Sequence, residues 1–125
     1  MRLLLDTQIY LWYLADSARL SRDARAKVAA AADVFVSAAS MWEAAIKVGI
    51  GKLDAPLEEL VASIAASGFT ELPVSAAHAA RVATLPGHHR DPFDRILIAQ
   101  AIAEPLHFMT ADAVLQRYSD LVQLV

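Results

Sequence analysis

Short apolar runs alternate with amphipathic stretches along this chain. Leu3 to Leu5 is a run of leucines ended by Asp6, which reads as a short strand buried on both faces. Thr7 to Ala15 then has helical spacing, with Ile9, Trp12 and Tyr13 on one side. Ser21 to Ala32 is alanine-rich behind a serine suited to N-capping, so a second helix is expected as far as Asp33. Val34-Phe35-Val36 is β-branched and aromatic, hence a strand, and Ser37 or Ser40 opens a third helix that the Gly49-Ile50-Gly51 segment stops. Pro56 at a first turn, with Leu57, Leu60, Val61 and Ile64 behind it, predicts another amphipathic helix ending at Gly68. A weak strand follows over Phe69 to Val74, then a helix from Ser75 to Leu85 and a polar loop from Pro86 to Arg90. Pro92 to Ala103 is helical with Ile96, Leu97 and Ile98 largely buried. Leu106 to Thr110 is a strand, Ala111 to Tyr118 a short helix and Leu121 to Val125 the last strand.

Strands that alternate with helices predict an α/β fold, a three-layer α/β/α sandwich around a mostly parallel sheet of about five strands. At 125 residues the chain is expected to form one domain spanning 1–125, with no internal repeat or linker. Its hydrophobic share of 57% leaves apolar side chains over for a partner, so a homo-oligomer or an obligate complex is expected. The apolar helix Ile9, Leu11, Trp12, Tyr13 and Leu14 is either core or a face for a second chain. No apolar stretch approaches the roughly 18 residues of a membrane span, and the N-terminal run is too short for a signal peptide, so a cytoplasmic location is expected. With no cysteine, disulfides and thiolate metal sites are excluded. A net charge of −3 excludes a generally basic nucleic-acid coat, so a phosphate ligand would need a local patch or a cation.

The candidate chemistry lies in four acids placed where strands are expected to give way to helices. They are Asp6, Glu43, Asp94 within Asp91-Pro92-Phe93-Asp94, and Asp112. In a parallel sheet the carboxyl ends of the strands share one rim, so acids far apart in sequence can meet there. Each has an ordinary explanation as well, because helix starts attract carboxylates. Ser40-Met41-Trp42-Glu43 reads as a capping box, Glu43 and Lys47 form a favourable i,i+4 pair, Asp91-Pro92 is a cap with proline at the first helical position, and Asp112 can cap the last helix. Asp6 is harder to explain that way, since it follows three leucines into a partly desolvated position. Two carboxylates about 5 Å apart repel by roughly 3 kcal/mol at an effective dielectric near 20, so a cluster of four calls for protons, basic neighbours or a divalent cation. An all-oxygen set suits Mg2+ or Mn2+, which leave positions open for phosphate oxygens and promote attack of water on phosphorus. Asp6 and Asp94 would be direct or near-direct ligands, with Glu43 and Asp112 completing the shell through water or orienting the attacking water as a base.

Lys47, Arg90 and Arg95 flank these acids and either hold substrate phosphates or balance local charge. His88-His89 reads as a solvated loop, and no histidine pair has helical metal spacing, which argues against zinc. Gly51-Lys52 lacks the first glycine and the Ser or Thr of a phosphate loop, and neither a nucleophile elbow nor a dinucleotide fingerprint is present.

Leu3-Leu4-Leu5-Asp6-Thr7, Ser37 to Glu43, His89-Arg90-Asp91-Pro92-Phe93-Asp94-Arg95 and Thr110-Ala111-Asp112 together give a chain that resembles the PIN-domain family, specifically VapC-type toxins of bacterial toxin-antitoxin pairs. The resemblance covers nearly the whole chain, and its most specific element is Arg90 to Arg95 with the following Ile-Leu-Ile-Ala-Gln. It implies a metal-dependent ribonuclease that hydrolyses a phosphodiester, is held inactive by a small antitoxin and usually dimerises. The family's acidic quartet maps onto Asp6, Glu43, Asp94 and Asp112, with Asp91 a nearby acid. Gln8 departs from the pattern, because close relatives often carry His after Asp-Thr, and this bears on substrate or water contacts. Two competing classes are a phosphoacceptor signalling domain and a PIN-like regulatory domain without activity. The first fits poorly, since Asp6 stands alone and no Lys follows Lys52.

Overall fold

A computed structural model describes residues 1–125. Five strands form one parallel sheet: β1 (Arg2–Leu5), β2 (Asp33–Ser37), β3 (Thr70–Leu72), β4 (His107–Thr110) and β5 (Val122–Leu124), in the spatial order β3-β2-β1-β4-β5. The register pairs Leu5 with Val36 on one side of β1 and with Met109 on the other. Six helices connect them: α1 (Thr7–Leu14), α2 (Arg22–Ala30), α3 (Ala38–Gly49), α4 (Leu57–Ala66), α5 (Ala76–Arg81) and α6 (Pro92–Ala103).

The leucine run explains the layering. Side chains alternate across a strand, so Leu3 and Leu5 join Val34, Val36 and Met109 under Ile9, Tyr10, Ala24, Val28 and Ile64 from α1, α2 and α4, with Leu20 from the segment between α1 and α2. Leu4 points the other way, into a second core with Phe108, Leu72 and Val122 beneath Leu97, Ile98 and Ala101 of α6. The result is the expected three-layer α/β/α sandwich. No helix is long and apolar enough to cross a membrane.

Several boundaries differ from the sequence reading. The second helix stops at Ala30, because Ala31 is already extended (φ −66°, ψ 141°) and turns the chain into β2. The weak third strand shrinks to three residues, and the helix after β4 is a single 3-10 segment, Ala113–Arg117. Ser37, not Ser40, caps α3: its Oγ accepts from the Ala39 amide at 3.0 Å. Ser40 lies inside the helix, fully buried, so the expected capping box with Glu43 does not form.

Helix α4 ends as its glycine implies. At the end of α4, Gly68 has φ +77°, the Phe69 amide bonds back to Ile64 O and the Gly68 amide to Ala65 O. This Schellman arrangement needs a left-handed residue. A Cβ at Gly68 would meet nothing within 4 Å, so backbone conformation alone sets the cost of replacement. Gly68→Ala is therefore expected to lower stability by about 1–2 kcal/mol, whereas Leu4→Ala, which empties a fully buried site, is expected to lower it by about 2–5 kcal/mol. Chemical denaturation of the two variants would rank them.

Candidate active site

The chain leaves β1 outward through β2 to β3, then returns to place β4 and β5 on the other side of β1. Strand order thus reverses between β1 and β4, and a crevice is expected outside the carboxyl ends of those two strands. Asp6 lies there. Its amide continues the ladder to Met109 O at 2.9 Å. Its carboxylate caps α1, with Oδ1 accepting from the Thr7 amide at 2.7 Å, and Oδ2 accepts from Thr110 Oγ1 at 2.7 Å across the gap between the strands. Thr110 Oγ1 also accepts from the Asp112 amide at 3.1 Å, so one hydroxyl joins the ends of β1 and β4 and orients Asp112.

Glu43 arrives by way of α3. Ser40, Glu43 and Lys47 share a helix face by their spacing, and Ser40 Oγ accepts from Thr7 Oγ1 at 2.8 Å, which fastens that face to the start of α1. Lys47 Nζ lies 3.0 Å from Glu43 Oε2, while Glu43 Oε1 is buried without a partner. Asp94 does not sit at a strand end, contrary to expectation. It stands in the first turn of α6, which follows a loop, and Asp91 caps that helix by accepting from the Phe93 amide at 2.8 Å and the Asp94 amide at 3.3 Å.

The structure thus brings the acids to one rim, and their electrostatics reflect it. Burial, reinforced by Asp94 and Glu43, pushes the Asp6 carboxyl up to about 7 despite its bonds from Thr110 and Thr7. Burial, reinforced by Asp91 and Glu43, pushes Asp94 up to about 6 against the opposing pull of His89. Asp112 is more open and caps the 3-10 helix by accepting from the Val114 amide at 3.1 Å.

Two basic residues have uses that sequence did not reveal. Arg95 turns away from the acids and donates to the carbonyls of Val82, Leu85, Pro86 and His89, holding the 82–89 loop. Its guanidinium is committed to that loop, which departs from the phosphate contact considered for it. His89, read as a solvated loop residue, instead places Nε2 2.7 Å from Asp94 Oδ2 and 3.5 Å from Asp112 Oδ2. Nothing local in His88-His89 says which ring turns inward; the backbone around them decides. Arg90 is exposed and lines an open groove of about 440 Å3 with Glu43, Lys47, Lys52, Asp91 and Phe93.

No curated protein sequence matches the chain. Solved structures do. A chain of VapBC2 from Rickettsia felis, crystallised with a DNA fragment from its promoter, aligns over 100% of this chain and 98% of its own length at 16% identity and a TM-score of 0.70. A toxin-antitoxin complex from Klebsiella pneumoniae aligns over 96% and 94% at 20% identity and a TM-score of 0.65. FitAB bound to the IR36 DNA fragment aligns over 88% and 85% at 22% identity and a TM-score of 0.62. At such identities the likeness is one of fold. The PIN domain, as a sequence family, matches residues 3–121, and the chain belongs to the PIN domain family.

Proposed function

We propose that this protein is a divalent-cation-dependent endoribonuclease and the toxin of a toxin-antitoxin pair. The observation that carries the reading is a desolvated Asp6, raised to about 7, beside Asp94, raised to about 6, with a buried Glu43 oxygen that nothing satisfies. Such a set is costly in an isolated chain and suits a divalent cation. The donors are hard carboxylate oxygens, as Mg2+ or Mn2+ prefers. Asp6 and Asp94 would hold the cation, and Glu43 and Asp112 would complete its surroundings. When bound, it would supply charge neutralisation at phosphorus and a more acidic water.

The remaining steps belong to the chain. Glu43 Oε1 is free to orient the attacking water by accepting its proton, while Lys47 holds the other oxygen of the same carboxylate. Thr110 and Thr7 keep Asp6 in place throughout. Lys47, Lys52 and Arg90 line the groove that leads from the acids, with Phe93 and a 65% exposed Trp42 in edge contact beside it at 5.0 Å. Cations next to an exposed Trp42 and a half-buried Phe93 suit a single-stranded nucleic acid, whose phosphates pair with the cations and whose bases stack on the rings. Cellular RNA offers such strands, which fits a cytoplasmic enzyme.

Two apolar grooves support the proposed partners. One, about 630 Å3, is lined by Leu11, Trp12, Leu14, Leu53 and Lys47. An antitoxin segment seated there would reach Lys47, and so the Glu43 pair, which links binding to inhibition. The other, about 460 Å3, is walled by Ala39, Trp42, Val74, Val82, Phe93 and Ile96, and a homodimer contact along its Ala39, Val74, Val82 and Ile96 wall would leave Trp42 and Phe93 to the nucleic acid.

RNA cleavage that needs Mg2+ or Mn2+ and stops with EDTA is the expected activity. Asp6→Asn and Asp94→Asn should each lower it by more than the roughly 10–100-fold typical of a residue that only supports a ligand, with circular dichroism unchanged. Folded and fully active variants would overturn the reading. A second expectation concerns pH. Both carboxyls keep their protons to higher pH in the folded chain than their ordinary 3.8. Their contribution to stability is thus complete below about pH 4 and is lost as pH rises, through about 6 for Asp94 and about 7 for Asp6. The cation-free melting temperature should fall between about pH 5 and about pH 8, Asp6→Asn should flatten that fall, and added Mn2+ should raise it more at the higher pH.

A further inference from the structure

His89 has no role in the acidic quartet, yet both polar atoms of its backbone are held by side chains. Its amide donates to Tyr118 Oη at 2.8 Å, and its carbonyl accepts from Arg95 Nη1 at 3.4 Å. The same guanidinium takes Pro86 O at 2.9 Å and Val82 O at 3.1 Å, and the neighbouring His88 ring meets Tyr118 edge-on at 5.1 Å. The backbone is therefore fixed from both sides by groups outside the acidic site, and the ring of His89 is left facing Asp94 and Asp112. One donor atom from each of His89, Asp94 and Asp112 lies within 4.8 Å of the others, the spacing of groups that could share one ion. The unsatisfied Glu43 oxygen adds an independent sign that a ligand belongs in this crevice.

An imidazole nitrogen alters the chemistry of an otherwise all-carboxylate site. Mg2+ favours oxygen donors and gains little from nitrogen; imidazole suits the later first-row ions best, and Mn2+, the first of that transition-metal series and otherwise an oxygen-seeking ion like Mg2+, accepts it more readily than Mg2+ does. We propose that His89, with Nε2 unprotonated and its proton released to solvent as the cation replaces the Asp94 contact, is a nitrogen donor to the bound cation and biases this site toward Mn2+-like ions over Mg2+. The proposal rests on the cation-site reading above and names the residue that sets metal preference.

Titration calorimetry with MnCl2 and with MgCl2, on the full chain and its variants, tests it. The unaltered chain should bind Mn2+ more tightly than Mg2+. His89→Ala and His89→Gln should both weaken Mn2+ binding by about 10–100-fold, the scale at which residues around a metal act, while Mg2+ binding changes by less than about threefold. Pulsed electron paramagnetic resonance of bound Mn2+ should show nitrogen coupling that both variants lose. Because Tyr118 and Arg95 grip backbone atoms, both variants should keep the fold, and His89→Gln serves should the alanine variant melt early. Equal weakening of the two cations would make His89 a positioning residue acting through Asp94 and would overturn the proposal. So would stronger binding of both cations, or absence of nitrogen coupling. A chain that binds neither cation would remove the cation site itself, whereas Mn2+ binding lost in Asp6→Asn but kept in His89→Ala would remove the role of His89 alone.

Discussion

The hydroxyl of Thr110 carries the site. It donates to Asp6 Oδ2 and accepts the Asp112 amide, so the ends of β1 and β4 are tied together where the strand order reverses and no further ladder bond can hold them. Thr110 is itself fully buried, which excludes water as a substitute partner. A carboxylate in that position is desolvated yet bonded twice, and the two effects oppose each other: the bonds favour charge, and burial with Asp94 disfavours it. Burial prevails. That balance leaves the crevice in want of positive charge.

The ordinary and the functional readings of the acids turn out to be compatible. Asp6, Asp91 and Asp112 do cap α1, α6 and the 3-10 helix, by bonds of 2.7 to 3.1 Å. Three capped starts and the first turns of α3 all face one rim, and so capping collects the carboxylates in one place. Helix dipoles do not make that tolerable. A helix N-terminus stabilises an adjacent acid by about 0.3–1 kcal/mol at ordinary exposure, against roughly 3 kcal/mol of repulsion between two carboxylates about 5 Å apart. Lys47 relieves Glu43 directly, but Asp6 has no basic side chain bonded to it.

Around the crevice the fold divides labour among its basic residues. Arg95 organises a loop by binding carbonyls, as a planar fork with five donors can do and an ammonium cannot. Lys47 and Arg90 remain at the groove wall. The apolar groove beside α1 shares Lys47 with that wall, which places an apolar surface and the acidic crevice on either side of one side chain.

Much of this was legible along the chain. The leucine run of β1, the β-branched β2, the alanine-rich α2 and the Asp91-Pro92 start of α6 follow from local preferences and from periods of 2 and 3.6, and so did the three layers. Positions that depend on a second segment were not legible. Ser40 looked like a cap because its spacing to Glu43 is that of a capping box, but Ser37 took the cap and Ser40 was drawn inward by Thr7, which is 33 residues away. Asp94 reaches the rim not from a strand end but from the first turn of α6, which only packing aims there. His89 turns to the acids and Arg95 to loop carbonyls because Tyr118, near the other end of the chain, holds the loop that carries one of them. By itself, then, the sequence determined which segments form strands and helices and which residue types could bind a cation. Only the tertiary structure decided which of those residues meet, since convergence depends on strand order and on hydrogen bonds between distant segments, and neither leaves a periodic trace in the chain.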